Sequence, residues 1–307
     1  MLTVFGSLNA DIVLNVVNMP YPGETRLCNS YNTVPGGKGA NQAVAAARAG
    51  SSVKMFGAVG NDEFGMMLLR SLRENKVDLS GIRTVDEPTG CATICVDESG
   101  ENMILVACGA NHVCLAENIP NDVLRQSSHL LLQMEIETAE NWKAIERAKA
   151  NNCKVILNMA PAQVVPDEVF KNIDYLIVNE HEAKYIARHQ FLPSRNVIEC
   201  ARQIAKNNDL TVVITLGSEG SIAGDKANIW QIPSPVIDQK DTTGAGDAYV
   251  GNFAAALDSG ESLLNALAFA STAGALACLK EGAQTSFPTV QETSHLLGQM
   301  GKIQKVA

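Results

Sequence analysis

The sequence predicts an α/β protein with a mainly parallel central sheet, helices on both faces and a small β-sheet lid. Three observations carry that expectation. From residue 129 onward, short apolar runs at 129–133, 154–158, 175–178 and 211–215 alternate with longer mixed segments, the spacing of strands joined by crossover helices. The chain is 46% apolar but only 5% aromatic, so its core is built mostly from Ala, Val, Ile and Leu, which suits strands buried on both faces. Two stretches, 12–34 and 89–107, interrupt the α/β pattern with extended runs around turns such as Pro20-Tyr21-Pro22-Gly23 and Asp97-Glu98-Ser99-Gly100, which is hairpin behaviour. They could combine into one small sheet, and a lid is its natural use. At 307 residues the chain can bury a sizeable core, and a single domain over 1–307 is expected.

In chain order, Leu2 to Ser7 reads as a short buried strand that delivers Asn9 and Asp11 just past its end, where ligands bind in open α/β sheets. An Asx-type turn is the alternative for that pair. Pro35-Gly36-Gly37-Lys38-Gly39-Ala40-Asn41-Gln42 then opens a helix through Ala43 to Gly50. Its glycines permit close backbone approach by a ligand or, equally, tight helix packing, while Lys38 and Asn41 add polar groups. It is not a nucleoside-triphosphate P-loop, because Ala40 follows Lys38-Gly39 where Ser or Thr would have to follow the Lys. A strand over 53–59 and a helix over 64–75 make the next βα unit.

The later strands end in Glu135, in Asn158, in Asn179 with Glu182, and in Thr215 followed by Gly217, Ser218 and Gly220. These ends line one edge of the sheet. Glu135 could serve only as a helix cap, and Asn179 with Glu182 fits an N-cap with an acid three residues on as well as a metal or phosphate role.

Asp241-Thr242-Thr243-Gly244-Ala245-Gly246-Asp247 joins a turn at 233–235 to an apolar helix over 248–257. Small residues at 244–246 let a substrate approach, and the amides that open a helix are unpaired donors at the positive end of its dipole. Such a terminus suits an anion. Asp247 lies inside that first turn, where its carboxylate could take a proton. A second Ala-rich helix over 261–279 carries Ser271, Ala273, Gly274 and Ala275, small enough for a planar ligand or a neighbouring helix to come close.

The formal net charge of -9, with no two basic residues adjacent, argues against a nucleic-acid or anionic-membrane surface. No run has transmembrane length, and no basic segment precedes the break at Gly6, so a cytoplasmic protein is expected. Eight Cys, at 28, 91, 95, 108, 114, 153, 200 and 278, are scattered without paired spacing and read as reduced thiols. The five His, at 112, 129, 181, 189 and 295, have no partner at metal-ligand or triad spacing.

Gly36 to Gln42 and Asp241 to Asp247, in that order and with the strand-end residues between them, resemble the two signatures of the ribokinase-like sugar kinases, also called the phosphofructokinase-B family. The resemblance covers essentially the whole chain, and the first signature with Gln133-Met134-Glu135 is most like the ribose-phosphorylating members. It implies transfer of the ATP γ-phosphate to a sugar hydroxyl, for D-ribose the 5-hydroxyl, giving D-ribose 5-phosphate. By position, Asp247 would be the base, and the backbone of Gly244, Ala245, Gly246 and Asp247 the anion hole. Asn9, Asp11, Gly37, Lys38, Asn41 and Glu135 would form the sugar site. Asn179 and Glu182 would act on the phosphates and, indirectly, on Mg²⁺, and Thr215, Gly217, Ser218, Gly220, Gly246 and Ser271 would bracket the nucleotide.

The resemblance also implies a monovalent cation, K⁺, held by the side chains of Asp241 and Ser286 and the carbonyls of Thr243, Ala277, Lys280 and Gly282. Two positions depart from the pattern: Ser271 stands where His or Asn is frequent, and Thr285 where Pro is. A nucleoside or another furanose is the alternative substrate, and a non-catalytic sugar- or nucleotide-binding regulator the alternative of another class. Ile12, Val13, Leu14, Val16 and Val17 are more apolar than a solvated hairpin needs, which predicts a homodimer through the lid sheet.

Overall fold

The computed structural model describes residues 1–28, 30–99 and 101–306. Asn29 of the first excursion, Gly100 of the second hairpin turn and Ala307 lie outside the described residues. The first third of the chain contains β1 (Leu2–Phe5), β2 (Asn9–Asn15), β3 (Tyr31–Gly36), α1 (Lys38–Arg48), β4 (Val53–Gly60), α2 (Glu63–Glu74), β5 (Asp78–Val85), β6 (Gly90–Val96) and β7 (Asn102–Ala107). The middle contains α3 (Asn121–Gln126), β8 (His129–Leu132), α4 (Thr138–Ala150), β9 (Lys154–Asn158), α5 (Asp167–Phe170), β10 (Tyr175–Asn179), α6 (Glu180–His189), α7 (Val197–Asn208) and β11 (Thr211–Thr215). There follow β12 (Ser221–Gly224), β13 (Ile229–Ile232), α8 (Ala245–Asp258), α9 (Leu263–Ala277), α10 (Val290–Leu297) and β14 (Gln304–Lys305).

The main sheet has ten strands in the order β14-β13-β12-β11-β10-β9-β8-β1-β4-β5. It is parallel from β5 to β11 and antiparallel from β11 outward to β14. Successive side chains of a strand point to opposite faces, and the core divides accordingly. Leu130, Leu132, Val155, Leu157, Val212 and Ile214 pack with Ile145 of α4, Ile186 of α6 and Ile204 of α7. Their neighbours Leu131, Ile156 and Val213 face the other way, toward α1, α2, α8 and α9. Small residues let the helices on that second face approach closely: a side chain on Gly251 of α8 would meet the Gln42 backbone of α1.

The two excursions form one separate four-stranded sheet, β3-β2-β6-β7, in which β2 and β6 run parallel and the outer pairs antiparallel. Its first strand starts earlier than the sequence suggests. Asn9 and Asp11 lie within β2, paired with Gly36 and Val34 of β3, so they are strand residues and not members of an Asx turn. Not anticipated from the sequence are β5, β12, β13, β14 and the helices α3, α5, α7 and α10. The first is half-exposed throughout and the other strands have four residues or fewer, too short for periodicity to register. Among the described residues no helix is long and apolar enough to cross a membrane.

Candidate active site

The main-sheet strands β5, β4, β1, β8, β9, β10 and β11 run parallel, so their C-terminal ends share one edge, and α8 begins at that edge. Gly244, in the left-handed region at φ 76°, turns the chain into the helix. A side chain there would come within 2.9 Å of Ala283 Cα and Phe287 Cε1. The Ala245 amide is used by Thr242 O and the Ala248 amide by Gly244 O, whereas those of Gly246 and Asp247 have no acceptor among the described residues. A side chain on Gly246 would meet nothing within 4 Å. Two free donors, the helix dipole and open space coincide, which is a receptacle for an anion.

Asp247 is buried, and both of its oxygens accept a hydrogen bond from consecutive residues of α1. Asn41 Nδ2 donates to Oδ2 at 3.0 Å and Gln42 Nε2 to Oδ1 at 2.9 Å. Gln42 also donates to Asn158 Oδ1 at 2.8 Å and accepts from Gln133 Nε2 at 2.7 Å. α1 begins at Lys38, five residues before the apolar run at Ala43. That early start is what presents Asn41 and Gln42 to α8.

The predicted sugar residues converge beside Asp247. Gly37 has φ 85°, and a side chain there would stand 2.6 Å from the Asn9 amide, so the tight seating of α1 against the start of β2 demands glycine. Glu135 Oε2 accepts from Ser7 Oγ at 2.6 Å and from the Lys38 amide at 2.9 Å, which ties the end of β8 to the head of α1. Asn9 Oδ1 accepts from Asn111 Nδ2 at 2.7 Å. Burial first, then the negative charges of Glu135 and Asp247, push the Asp11 carboxyl up to about 7 against the pull of Lys38. Burial disfavours the Lys38 ammonium, but Asp247, Glu135, Glu182 and Asp11 outweigh it and raise its pKa. Lys38 thus supplies a positive charge within reach of acids whose oxygens can accept hydrogen bonds from an uncharged polyol.

Of the predicted nucleotide residues, Thr215, Gly217, Ser218, Gly220, Gly246 and Ser271 line a single cavity of about 310 Å³. Val236, Ile237 and Tyr249 supply apolar walls that the sequence did not disclose, and Gly274 and Ala275 of the small-residue helix line the same cavity. The Ser271 hydroxyl itself donates to Pro233 O at 2.8 Å. Asn179 and Glu182 stand outside this cavity and form a capping box on α6, with Glu182 Oε2 accepting from the Asn179 amide at 2.7 Å and Asn179 Oδ1 from the Glu182 amide at 2.9 Å. Burial raises the Glu182 carboxyl above its usual range. Its negative charge is one of those that raise the Lys38 pKa.

The predicted cation residues come together in part. Asp241 Oδ2 accepts from the Gly282 amide at 2.8 Å, and Oδ1 accepts from the Thr243 amide and hydroxyl at 2.9 and 2.7 Å. Burial opposes its charge, but these hydrogen bonds hold the carboxyl below its ordinary range. Ser286 donates to Ala283 O at 2.8 Å, closing the same loop, while the Lys280 ammonium turns outward to Glu292 at 3.3 Å. Among the described residues no three His, Cys, Asp or Glu side chains gather to hold a metal ion.

Gln42 and Gln133 stood inside segments singled out from the sequence without receiving a role. Ser7, Asn111 and Gln284 carried no local signal, since their partners lie about a hundred residues away or more. His129 is a core residue, its ring pushed down to about 4 mainly by burial.

A mainly parallel sheet with a small second sheet over its edge and a carboxylate inside an anion-binding helix turn define a sugar-kinase architecture. The chain belongs to the pfkB family of carbohydrate kinases, whose pattern matches residues 1–290. It is 38% identical over 300 residues to a ribokinase of Haemophilus influenzae, covering 96% of this chain and 98% of that one. A ribokinase of Bacillus subtilis is 37% identical over 302 residues, with 96% and 99% covered. Among solved structures, ribokinase from Thermotoga maritima superposes with TM-score 0.91 at 34% identity, covering 97% of this chain and 99% of that one. Arabidopsis thaliana ribokinase complexed with ribose and ATP superposes with TM-score 0.87 at 31% identity, with 96% and 98% covered.

Proposed function

We propose that this carbohydrate kinase transfers the γ-phosphate of ATP to the 5-hydroxyl of D-ribose. One observation carries the reading: Gly246 lines the nucleotide-sized cavity while the next residue, Asp247, is hydrogen-bonded into the polar cluster of Asn41 and Gln42. Two compartments therefore meet at a single peptide. Similarity to ribokinases over nearly the whole chain supports ribose as the acceptor.

In this reading Asn9, Asp11, Gly37, Lys38, Asn41 and Glu135 hold the sugar, and the 5-hydroxyl hydrogen-bonds Asp247. As the hydroxyl oxygen bonds to the γ-phosphorus, its proton passes to Asp247, the bond to the β-phosphate oxygen breaks and ADP leaves. The amides of Gly246 and Asp247 receive the charge that spreads over the transferred group. Mg²⁺ arriving with ATP would neutralise phosphate charge, and Glu182, held in the capping box of α6, would be the side chain that acts on it. A monovalent cation such as K⁺ would be held by Asp241, Ser286 and the carbonyls of Thr243, Ala277, Lys280 and Gly282, and would reinforce the positive field behind the anion site. The small sheet acts as a lid that excludes water as a competing acceptor, and eight free thiols suit a cytoplasmic setting.

The same small sheet supports a homodimer. Its edge strand β7 exposes Met103, Ile104, Leu105 and Val106, each about half-exposed or more, an apolar edge of a kind that monomers avoid.

A coupled assay on purified protein tests the assignment. D-Ribose is expected to give a higher kcat/KM than adenosine or fructose, with lower turnover when tetramethylammonium replaces K⁺. Asp247→Asn should retain ribose binding by calorimetry while kcat falls about 10²- to 10⁴-fold, the usual contribution of a positioned base. Near-wild-type turnover of that variant removes Asp247 from the role.

A further inference from the structure

The Asp247 carboxylate is the terminus of a buried chain of amides that reaches the loop following α9. An ionised carboxylate can only accept, so Asn41 must show it Nδ2, at 3.0 Å. Asn41 Oδ1 then needs a donor, and Gln284 Nε2 supplies it at 3.0 Å. Gln284 Oε1 in turn accepts from Ser71 Oγ at 2.7 Å. Gln284 is buried, and its own carbonyl is pinned by Arg48 Nη1 at 2.6 Å, the same guanidinium nitrogen that reaches Phe287 O at 2.9 Å. Each link dictates the polarity of the next, and no member can turn its amide over without setting two acceptors face to face.

We propose that Gln284 is a positioning residue for phosphoryl transfer: it fixes the amide orientation of Asn41 and thereby the placement of Asp247. Gln284 touches no part of the nucleotide cavity and reaches the carboxylate only through Asn41. The assignment rests on Asp247 being the base, and the experiment separates the two.

Gln284→Glu converts the donor at this position into an acceptor. The introduced carboxylate draws Asn41 Nδ2 toward itself and leaves Asn41 Oδ1 against Asp247. The expected result is a loss in kcat on the order of 10²-fold, the cost of an ångström-scale misplacement of a catalytic group, with KM for ATP unchanged. Gln284→Met removes the donor without reversing it and should lose less. In an Asn41→Ala background the Gln284→Glu change should cost no further kcat to within about twofold, because a residue acting only through Asn41 is coupled to it. A loss in that background equal to the loss in the wild-type chain overturns the proposal, as does Gln284→Glu with wild-type kcat. Should Gln284→Glu not fold, Gln284→Met and Ser71→Ala carry the test, and wild-type kcat in both overturns it. If Asp247→Asn is inactive while the Gln284 variants behave as wild type, only the positioning role falls. If Asp247→Asn turns over normally, the base assignment falls first.

Discussion

At the scale of single residues, Asp11 shows what a buried acid in the proposed sugar site costs the free protein. Its carboxyl titrates near 3.8 when unperturbed and is pushed up to about 7 in the fold by burial and by Glu135 and Asp247. The folded state therefore binds the proton more tightly than the unfolded state does. That preference contributes stability fully below about pH 3.8 and is lost as pH rises through about 7. Asp11→Asn removes the burden of a buried charge, so it should raise Tm by several degrees at pH 8, at roughly 2–4 °C per kcal/mol, with the gain shrinking toward pH 4. Ribose affinity should fall in the same variant, since stability recovered at a binding group is function lost. Calorimetric scans across that range check it, and a Tm gain equal at pH 5 and pH 8 contradicts the account.

At the scale of elements, the start of α8 separates two kinds of glycine. Gly244 is required by the protein itself, because its φ is 76° and Ala283 and Phe287 crowd the missing side chain. Gly246 meets nothing, so what requires it is whatever enters the space. Gly244→Ala should therefore destabilise the protein by about 1–3 kcal/mol, the cost of holding a side chain in that backbone region. Gly246→Val should melt close to wild type yet lose more than about tenfold in kcat/KM for ATP, because its side chain fills the place of a phosphate held by helix amides. Denaturant titrations and steady-state kinetics on the pair distinguish them; a Gly246→Val protein with intact ATP kinetics would empty the anion site of its meaning. α1 makes the complementary point. Its Ala-rich body packs on α8, and its glycine-bearing entry, ahead of the apolar run at Ala43, is already helical and carries Asn41 and Gln42 to Asp247.

At the scale of the whole molecule, the proposed dimer through the small sheet rests on the exposed apolar strand β7 and the apolar residues of β2. Light scattering at micromolar concentration should give twice the 32.7 kDa chain mass, and Leu105→Glu, which places a charge at the centre of that edge, should return a monomer; a monomeric wild type refutes the interface. Much of this architecture was legible beforehand. The runs at 129–133, 154–158, 175–178 and 211–215 became β8 to β11, and 12–34 and 89–107 supplied the second sheet, because strand periodicity and turn chemistry are local properties. The two glycine-bearing signatures were also local, and the structure brings them together at Asn41, Gln42 and Asp247. What the sequence alone determined is thus the parallel run β8 to β11, the two excursions that make the second sheet and the polar residues that end the strands. The tertiary structure decided which of those ends meet: Asn41 with Gln284 across 243 positions, Gln42 with Gln133 across 91, and both α1 amides with Asp247 more than 200 positions away. Such pairings leave no periodic trace, because the hydrogen-bond polarity of a buried amide is set only by the partner that folding brings against it.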